Sequence, residues 1–232
     1  TLVVAVLSSC GAYSQYGYDN DYGYYDNDDD YYYDDYNGNY YGDYNEFYTS
    51  LSPYGSWTVH SSYGRVWYPR VSRGFQPYAT NGYWVMTDYG NTWVSNYDWG
   101  WAPFHYGRWF YDDYRGWGWI PGYEWAPAWV SWRRGSDYYG WAPLGPGLNI
   151  NININIPSNH WVFLPNKWMY NRNMHKHYYD HRFNNRYYKN TKVINNTYIY
   201  NDNRYYSGPS SNEYRRDTGR NASVHRLEAS SL

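Results

Sequence analysis

The chain has 232 residues, of which 25% are aromatic, and its formal net charge is −2. The mean hydropathy of −0.99 is low because most of the rings are Tyr that stand among Asn, Asp and Gly. An ordinary aliphatic core is therefore excluded, and aromatic rings must supply most of the buried apolar area. Because Cys10 is the only Cys, a disulfide within the chain is excluded as well.

Opposite charges collect at the two ends of the chain. The residues before Arg65 include 10 acidic side chains and no Lys or Arg, whereas the residues from Lys167 onward include 12 Lys or Arg and 5 acidic side chains. The amino-terminal part is therefore acidic and the carboxy-terminal part basic, with a nearly neutral region between them.

Residues 1–10 resemble the end of a secretory signal peptide, in which an apolar run is followed by small residues. The run is too short to cross a bilayer as a helix, which needs about 20 apolar residues. Residues 7–10 resemble the bacterial lipobox, where a signal peptidase cuts before a Cys that becomes diacylated. We expect lipidation of Cys10; the alternative is a plain secretory peptide that carries a Cys near its cleavage site. The residue after Cys10 is Gly11, whereas lipoproteins that are kept at the inner membrane carry Asp at this position. We therefore expect attachment to the outer membrane.

Residues 11–50 consist mainly of Tyr, Asp, Asn and Gly. Like charges at this density repel one another, and aliphatic side chains that could nucleate a core are lacking. The sequence predicts a disordered acidic linker. The same composition is also typical of proteins that aggregate or form a matrix, which is an alternative for the whole chain.

Residues 51–168 repeat one phrase, in which a Tyr-Gly or Asp-Tyr turn is followed by Trp and often by Pro. The phrase occurs at 63–69, 88–94, 114–121 and 138–143, with a shorter Trp-Ala-Pro phrase at 101–103, 125–127 and 141–143. Runs rich in aromatic and β-branched residues suit strands, and Gly and Asp suit the turns between them. The runs that we predict as strands are 56–59, 83–86, 108–111 and 128–132. The predicted fold class is therefore all-β, a meander of short aromatic-rich β-hairpins.

Six residues of this region are candidates for a ligand-binding groove. In such a groove Trp rings cover the apolar face of a sugar, while His105, Arg108, Arg133 and Glu124 bond its hydroxyls. The alternative for His105 and Arg108 is structural, with bonds to turn carbonyls and stacking on Trp inside the repeat. The six candidates are Trp101, His105, Arg108, Trp109, Trp125 and Trp132.

No catalytic constellation stands out in the sequence. Glycosidases need two carboxylates at a defined separation, and the adjacent Asp112 and Asp113 suit a turn instead. A Ser nucleophile elbow, a phosphate-binding Gly loop followed by Lys and a His-Glu metal motif are all missing from the sequence. We therefore predict a non-enzymatic protein with no catalytic residues and no cofactor.

Five phrases of this region carry a resemblance to known proteins. They lie at 51–57, 63–69, 99–109, 129–133 and 140–144. Together they resemble an uncharacterised family of exported bacterial proteins that is rich in Tyr and Trp. The resemblance covers residues 51 to about 167 and implies a location in the cell envelope. It supplies no catalytic residues that could be carried over.

The remainder of the chain contains weaker structural signals. Residues 148–157 alternate Asn with Ile, which predicts a strand with one apolar face that ends at Pro157. We also predict a strand over 160–164, an edge strand over 193–200, and a short helix after Pro209 that Ser210 or Ser211 caps and Gly219 ends. Otherwise residues 169–232 are predicted to form a basic and mostly irregular tail. Whether this tail packs on the core is left open.

His175, His177 and His181 have a spacing that could ligate Zn²⁺ or Cu²⁺. We favour a solvated basic segment without a metal, because His181 needs a bend to join the other two and no Cys assists. The basic run 182–192 with its interleaved Tyr suits an anionic polymer. An exported protein meets lipopolysaccharide or acidic glycans, so we predict no nucleic-acid partner.

These observations predict an exported, non-enzymatic lipoprotein with a structural or interaction role at the outer membrane or cell surface of a Gram-negative bacterium. Its expected partners are the membrane, through the lipid anchor, and cell-surface glycans or envelope proteins. The alternative is a glycan-binding module of the cell surface. The predicted organisation is the end of a signal peptide (1–10), an acidic linker (11–50), an aromatic β domain (51–168) and a basic tail (169–232).

Overall fold

The computed structural model describes residues 45–148 and 156–227, in which antiparallel β-strands predominate. Consecutive strands pair as hairpins, and the predicted runs 56–59, 83–86, 108–111 and 128–132 all fall in the first strand of a hairpin, the last of them with its start two residues early. The prediction of an all-β fold is confirmed. The strands are β1 Gly55–His60, β2 Gly64–Pro69, β3 Gly82–Thr87, β4 Gly90–Ser95, β5 Arg108–Asp112, β6 Gly116–Ile120, β7 Val130–Arg134 and β8 Tyr138–Pro143.

Each of these hairpins pairs one Trp directly with another across its two strands. Residues that face each other in an antiparallel pair lie on the same side and in contact. Two indoles therefore share one side of each hairpin, which explains why Trp recurs in the sequence, and the two rings contact each other in the β3–β4 and β7–β8 hairpins. The pairs are Trp57 with Trp67, Trp84 with Trp93, Trp109 with Trp119, and Trp132 with Trp141.

A glycine two residues before the first Trp makes room for the second indole in three of the hairpins that the model describes. At Gly82 a Cβ would lie 2.4 Å from the Trp93 ring, far inside van der Waals contact. Gly55 and Gly107 stand in the same relation to their own hairpins. The Gly-x-Trp spacing is therefore a packing requirement of the repeat.

The remaining elements are short. The helices are α1 Asn45–Leu51, α2 Asn184–Lys189 and α3 Ser211–Thr218, with 3₁₀ turns at Ser52–Tyr54, Ser158–His160, Asn166–Trp168, Met174–His177 and His181–Phe183. The later strands are β9 Val162–Pro165, β10 Lys192–Val193, β11 Thr197–Tyr200, β12 Asn203–Tyr206 and β13 Val224–His225.

The hairpins combine into several sheets and do not form a single continuous meander. One sheet has the order β1-β2-β6-β5, because β2 pairs with β6 through Trp67 and Trp119. A second sheet has the order β10-β7-β8-β9. In the third sheet, β13 pairs in parallel with β3, which is also paired with β4. Strands from the carboxy-terminal part thus cover the edges of sheets that the repeats begin, which protects those edges from pairing with other chains.

The start of the folded part differs from the prediction. Helix α1 includes residues 45–50, which the sequence assigns to the disordered linker. Phe47 and Leu51 lie four residues apart, hence on one face of the helix, and both are buried. Phe47 packs edge-on against Trp119, with ring centroids 5.4 Å apart. Phe47 and Leu51, one aromatic and one aliphatic side chain at helical spacing, thus attach this end of the folded part to the core.

Three predictions for the second half of the chain have different outcomes. The strand predicted over 160–164 is present as β9, after a 3₁₀ turn. The edge strand predicted over 193–200 is divided into β10 and β11. Most of the alternating Asn-Ile segment, residues 149–155, lies outside the described residues.

The helix predicted after Pro209 is confirmed as α3. Ser210 Oγ accepts a hydrogen bond from the backbone N–H of Glu213 at 3.2 Å, and the Glu213 carboxylate accepts from the backbone N–H of Ser210 at 2.8 Å, so both halves of a capping box are present. Gly219 ends the helix with φ of 70°, the left-handed conformation that favours glycine.

The basic tail packs on the aromatic core, which answers the question that the sequence left open. Asp217 of α3, with 2% of its side chain exposed, accepts hydrogen bonds from Tyr139 Oη at 2.6 Å and from Arg134 Nη2. Burial and this carboxylate raise the pKa of Tyr139. Tyr205 of β12 is fully buried and donates to Tyr89 O at 3.0 Å. These contacts join the carboxy-terminal part to two different hairpins.

Candidate functional site

A surface cleft of about 720 Å³ lies beside the start of β5 and the end of β6. The loop that follows β6, residues 146–148 and the turn between β11 and β12 also line it. The side chains that give the cleft its chemical character are Arg108, Tyr123, Glu124, Trp129, Asp202 and Arg204.

Arg108 is held in one orientation at the cleft. Its guanidinium carbon lies 3.4 Å from the centroid of the Trp129 ring, and its Nη1 donates to Gly107 O at 2.8 Å. Only 21% of the side chain is exposed. Burial lowers the pKa of Arg108 below its ordinary value, while Tyr78 and Glu124 act in the opposite direction. The guanidinium remains a cation, because its ordinary pKa lies far above neutral pH.

The other charged groups balance this cation. Glu124 Oε2 lies 3.9 Å from Arg108 Nη2, and 61% of the Glu124 side chain is exposed. Asp202 and Arg204 also line the cleft, and both are exposed. Cationic donors and carboxylate acceptors therefore face one space with little net charge, an arrangement that suits a ligand rich in hydroxyl groups.

Two glycines bring backbone segments close together at one wall of the cleft. Gly107 has φ of +63°, and a Cβ at this position would lie 2.1 Å from Ile120 O. A Cβ on Gly122 would lie 3.0 Å from the Cα of Gly107. The wall is therefore formed by main chain, which holds Arg108 close to the loop that carries Glu124.

His105, a sequence candidate for ligand binding, lies in the interior and has a structural role. Its Nδ1 is 3.1 Å from Ala126 O, and its ring stacks with that of Trp125 at a centroid distance of 6.0 Å. Burial lowers the pKa of His105 to about 4, although hydrogen bonds to the backbone of Ala126 and Pro127 oppose the shift. The imidazole is therefore neutral at pH 7.

The Trp candidates pack in or beside the core instead of lining the cleft. Trp109, Trp125 and Trp132 are 1%, 6% and 0% exposed. Trp101 is partly buried and packs against Phe47, with ring centroids 5.9 Å apart. The physical reason is the hairpin repeat, which turns Trp109 and Trp132 toward their cross-strand partners. Of the six sequence candidates, Arg108 is the one that lines the cleft within the described residues.

Sequence reasoning missed Tyr123, Asp202 and Arg204. The β11–β12 turn had a usable signal, because Asn201 and Asp202 both adopt positive φ, and an Asn-Asp pair between Tyr-rich runs is typical of a tight hairpin. No local pattern connects that turn to Arg108, which lies far earlier in the chain. The cleft is created by tertiary contacts.

The histidines considered as metal ligands are not brought together. His177 stacks on Trp168 with ring centroids 3.9 Å apart, whereas His175 and His181 are exposed. Over residues 45–148 and 156–227, no group of three or more His, Cys, Asp or Glu side chains is arranged to hold a metal ion.

The fold and the cleft define an all-β domain of Trp-paired hairpins. Residues 48–148 match the model of DUF6600, which is described as a family of unknown function. This agrees with the expected likeness to an uncharacterised family. The matched residues include β1 to β8 and, of the cleft, Arg108, Tyr123 and Glu124, whereas Asp202 and Arg204 lie beyond them. No curated protein and no solved structure matches the chain.

None of the helices described for this chain is long and apolar enough to cross a membrane. Cys10, the predicted lipidation site, lies outside the described residues.

Proposed function

We propose that this chain is a non-enzymatic binding protein of the bacterial cell envelope, and that its cleft holds one sugar unit of a cell-surface glycan. The observation that carries the proposal is the fixed position of the Arg108 guanidinium in the cleft. This cation is stacked on Trp129 and mostly enclosed, and its Nη2 lies 3.9 Å from the carboxylate of Glu124. Its orientation is therefore set before a ligand arrives, which lowers the entropic cost of binding.

The other groups of the cleft complement a pyranose ring. Tyr123 is 50% exposed and can cover the apolar face of the sugar. Arg108 can donate to ring hydroxyls, and Glu124 and Asp202 can accept from them. A volume of about 720 Å³ is within the range of small-ligand sites.

We propose binding without hydrolysis because of the setting of the two carboxylates. The general acid of a glycosidase is a carboxyl group whose surroundings keep it protonated, commonly an apolar enclosure. The Glu124 side chain is 61% exposed and faces a guanidinium, and Asp202 is exposed on a turn. Both settings suit hydrogen bonding to a ligand more than proton transfer.

Removal of a contact in the cleft should weaken glycan binding. We expect Tyr123→Ala and Asp202→Ala each to raise the dissociation constant about tenfold, equivalent to ~1.4 kcal/mol. The probe is an array of bacterial cell-wall and capsular oligosaccharides, followed by calorimetric titration of the best binder. Tyr114→Ala is the matched control, because this ring is 100% exposed on the turn between β5 and β6, away from the cleft. The proposal fails if the unmodified chain binds nothing on the array, or if Tyr114→Ala weakens binding as much as Tyr123→Ala.

We also propose that a lipid on Cys10 attaches the protein to the outer membrane. The lipobox-like residues 7–10 support this proposal. Expressed in a Gram-negative bacterium, the full chain should gain acyl mass and sediment with the outer membrane, whereas Cys10→Ala should be released in soluble form. Intact-mass spectrometry and membrane fractionation measure both outcomes. Identical processing and solubility of the two chains would exclude the anchor.

A further inference from the structure

A strongly basic surface extends along residues 167–192. All four lysines of the chain and three of its arginines fall in this stretch, and each of these residues is exposed. Its one carboxylate, Asp180, pairs with Arg182. The cations of this basic surface are Lys167, Arg172, Lys176, Arg182, Arg186, Lys189 and Lys192.

The backbone that carries these cations is fixed to one sheet. Tyr179 N donates to Phe163 O of β9 at 2.8 Å, and Asn184 Nδ2 donates to Trp161 O at 2.6 Å. Helix α2 and the 3₁₀ turn Met174–His177 both contact β9, and the 3₁₀ turn Asn166–Trp168 contacts β8. The basic surface therefore lies along one sheet, from β9 at one edge to β10, which carries Lys192, at the other.

The positive charge of this surface is largely uncompensated. Apart from Arg182, none of its cations forms an ion pair with a carboxylate within the described residues. Like charges at this density repel one another and attract an anionic partner.

Another segment of the same chain carries negative charge that complements this surface. Residues 19–43 contain nine Asp and no Lys or Arg, and Tyr residues are interleaved with the Asp. Asp side chains can pair with the cations, and Tyr rings can stack on Arg and Lys. Negative charge and aromatic rings thus occur together in one segment, at a density that matches the basic surface.

Chain length permits this segment to reach the surface. Its attachment point, α1, is fixed by Phe47 against Tyr106 and Trp119. A stretch of 25 residues can extend to about 80 Å, whereas a folded unit of this size has a radius of gyration of about 16 Å. A short tether also provides an effective concentration in the millimolar range.

We propose that the basic surface is the docking surface for the acidic segment 19–43 of the same chain, which competes there with external polyanions. The proposal concerns a surface separate from the cleft and does not depend on the glycan-binding function. Its consequence is regulatory, because an anionic polymer of the envelope must displace the acidic segment before it binds.

Carbodiimide cross-linking of the full chain tests the contact, since this reagent joins a carboxylate to an amine with loss of water. At low ionic strength, we expect links within one chain from residues 19–43 to Lys176, Lys189 or Lys192, and their loss at about 1 M salt, where the Debye length is about 3 Å. Substitution of Arg172 and Arg186 by Gln should reduce these links at least threefold without removing any lysine. The matched control replaces Arg70 and Arg73, which are exposed outside the basic surface. Links found only between copies, or equal losses in both double variants, would overturn the proposal.

Competition gives an independent measurement. The probe is dextran sulfate, and the variant is D26N/D28N/D29N/D30N/D34N/D35N, which keeps every Tyr and every cation. We expect this variant to bind the probe about tenfold more tightly than the parent, within the usual range of coupling between two binding events. Equal affinity of variant and parent would show that the surface is open to external polyanions and would overturn the proposal.

Discussion

Two neighbouring polar residues show how burial decides the role of a side chain. His105 is enclosed, bonds a backbone carbonyl and is held neutral, whereas Arg108 remains a cation because a guanidinium keeps its charge even when mostly buried. Trp rings contact both residues, as the sequence suggests. Only Arg108 has exposed surface at the cleft, so only Arg108 is available to a ligand.

The buried His105 should make the stability of the protein depend on pH. Its pKa is about 4 in the folded chain and ordinarily 6.5, so the unfolded chain binds more protons between these values. The free energy of unfolding should therefore decrease as the pH falls from 6.5 to 4, by up to about 3 kcal/mol from this residue. His105→Gln should flatten this slope, as measured by urea denaturation at several pH values.

Two other histidines matter for that experiment, one as a second contributor to the slope and one as a control. Burial also lowers the pKa of His160, so part of the slope should persist in His105→Gln. His181→Gln is the matched control, because this imidazole is exposed in the folded chain. Superimposable slopes for the parent and His105→Gln would contradict the prediction, whatever the absolute stability of the variant.

Each hairpin of the repeat places two indoles on the same side, where they pack into or against the core. In the β5–β6 hairpin the indole N–H groups also attach the preceding loop: Trp109 Nε1 donates to Pro103 O at 2.8 Å, and Trp119 Nε1 donates to Tyr106 O at 2.8 Å. A buried donor without a partner costs about 1–3 kcal/mol, so these bonds favour one arrangement of the loop between β4 and β5. That loop leads into Gly107 and Arg108 and therefore positions the cleft.

The close approach of Gly82 to Trp93 can be tested by adding one methyl group. Gly82→Ala places a Cβ 2.4 Å from the Trp93 ring and should lower the free energy of unfolding by about 1–3 kcal/mol. Gly145→Ala is the matched control, because its Cβ would meet Leu148 at 3.6 Å, an ordinary contact. Urea denaturation measures both variants. A loss at Gly145 equal to that at Gly82 would show that the indole contact is not the cause.

At the scale of the whole molecule, the basic carboxy-terminal part completes the domain that the aromatic repeats begin. Met174, Tyr206 and Tyr214 are buried in the same hydrophobic cluster as the paired indoles. The β11–β12 turn supplies Asp202 and Arg204 to the cleft, and residues 167–192 supply the basic surface. Both proposed binding regions therefore depend on residues beyond 48–148, the part of the chain that matches the DUF6600 family model.

Features that arise over a few residues could be predicted from the amino-acid sequence. Alternating aromatic residues with Gly and Asp turns predicted the hairpins, and Ser210 with Gly219 predicted both ends of α3. These predictions succeed because strand pairing across a tight turn and helix capping depend on neighbours in sequence. The same local reasoning explains why Arg108 was recognised as a candidate.

Only the tertiary structure decided which side of each hairpin is covered and which strands become neighbours. The sequence could not show that Trp109 and Trp132 face the interior, because an indole is equally suited to a core and to a sugar-binding floor. Nor could it place Asp202 near Arg108, since that proximity depends on how separate hairpins pack. Contacts between distant segments follow from the shape of the whole core, which no short pattern encodes.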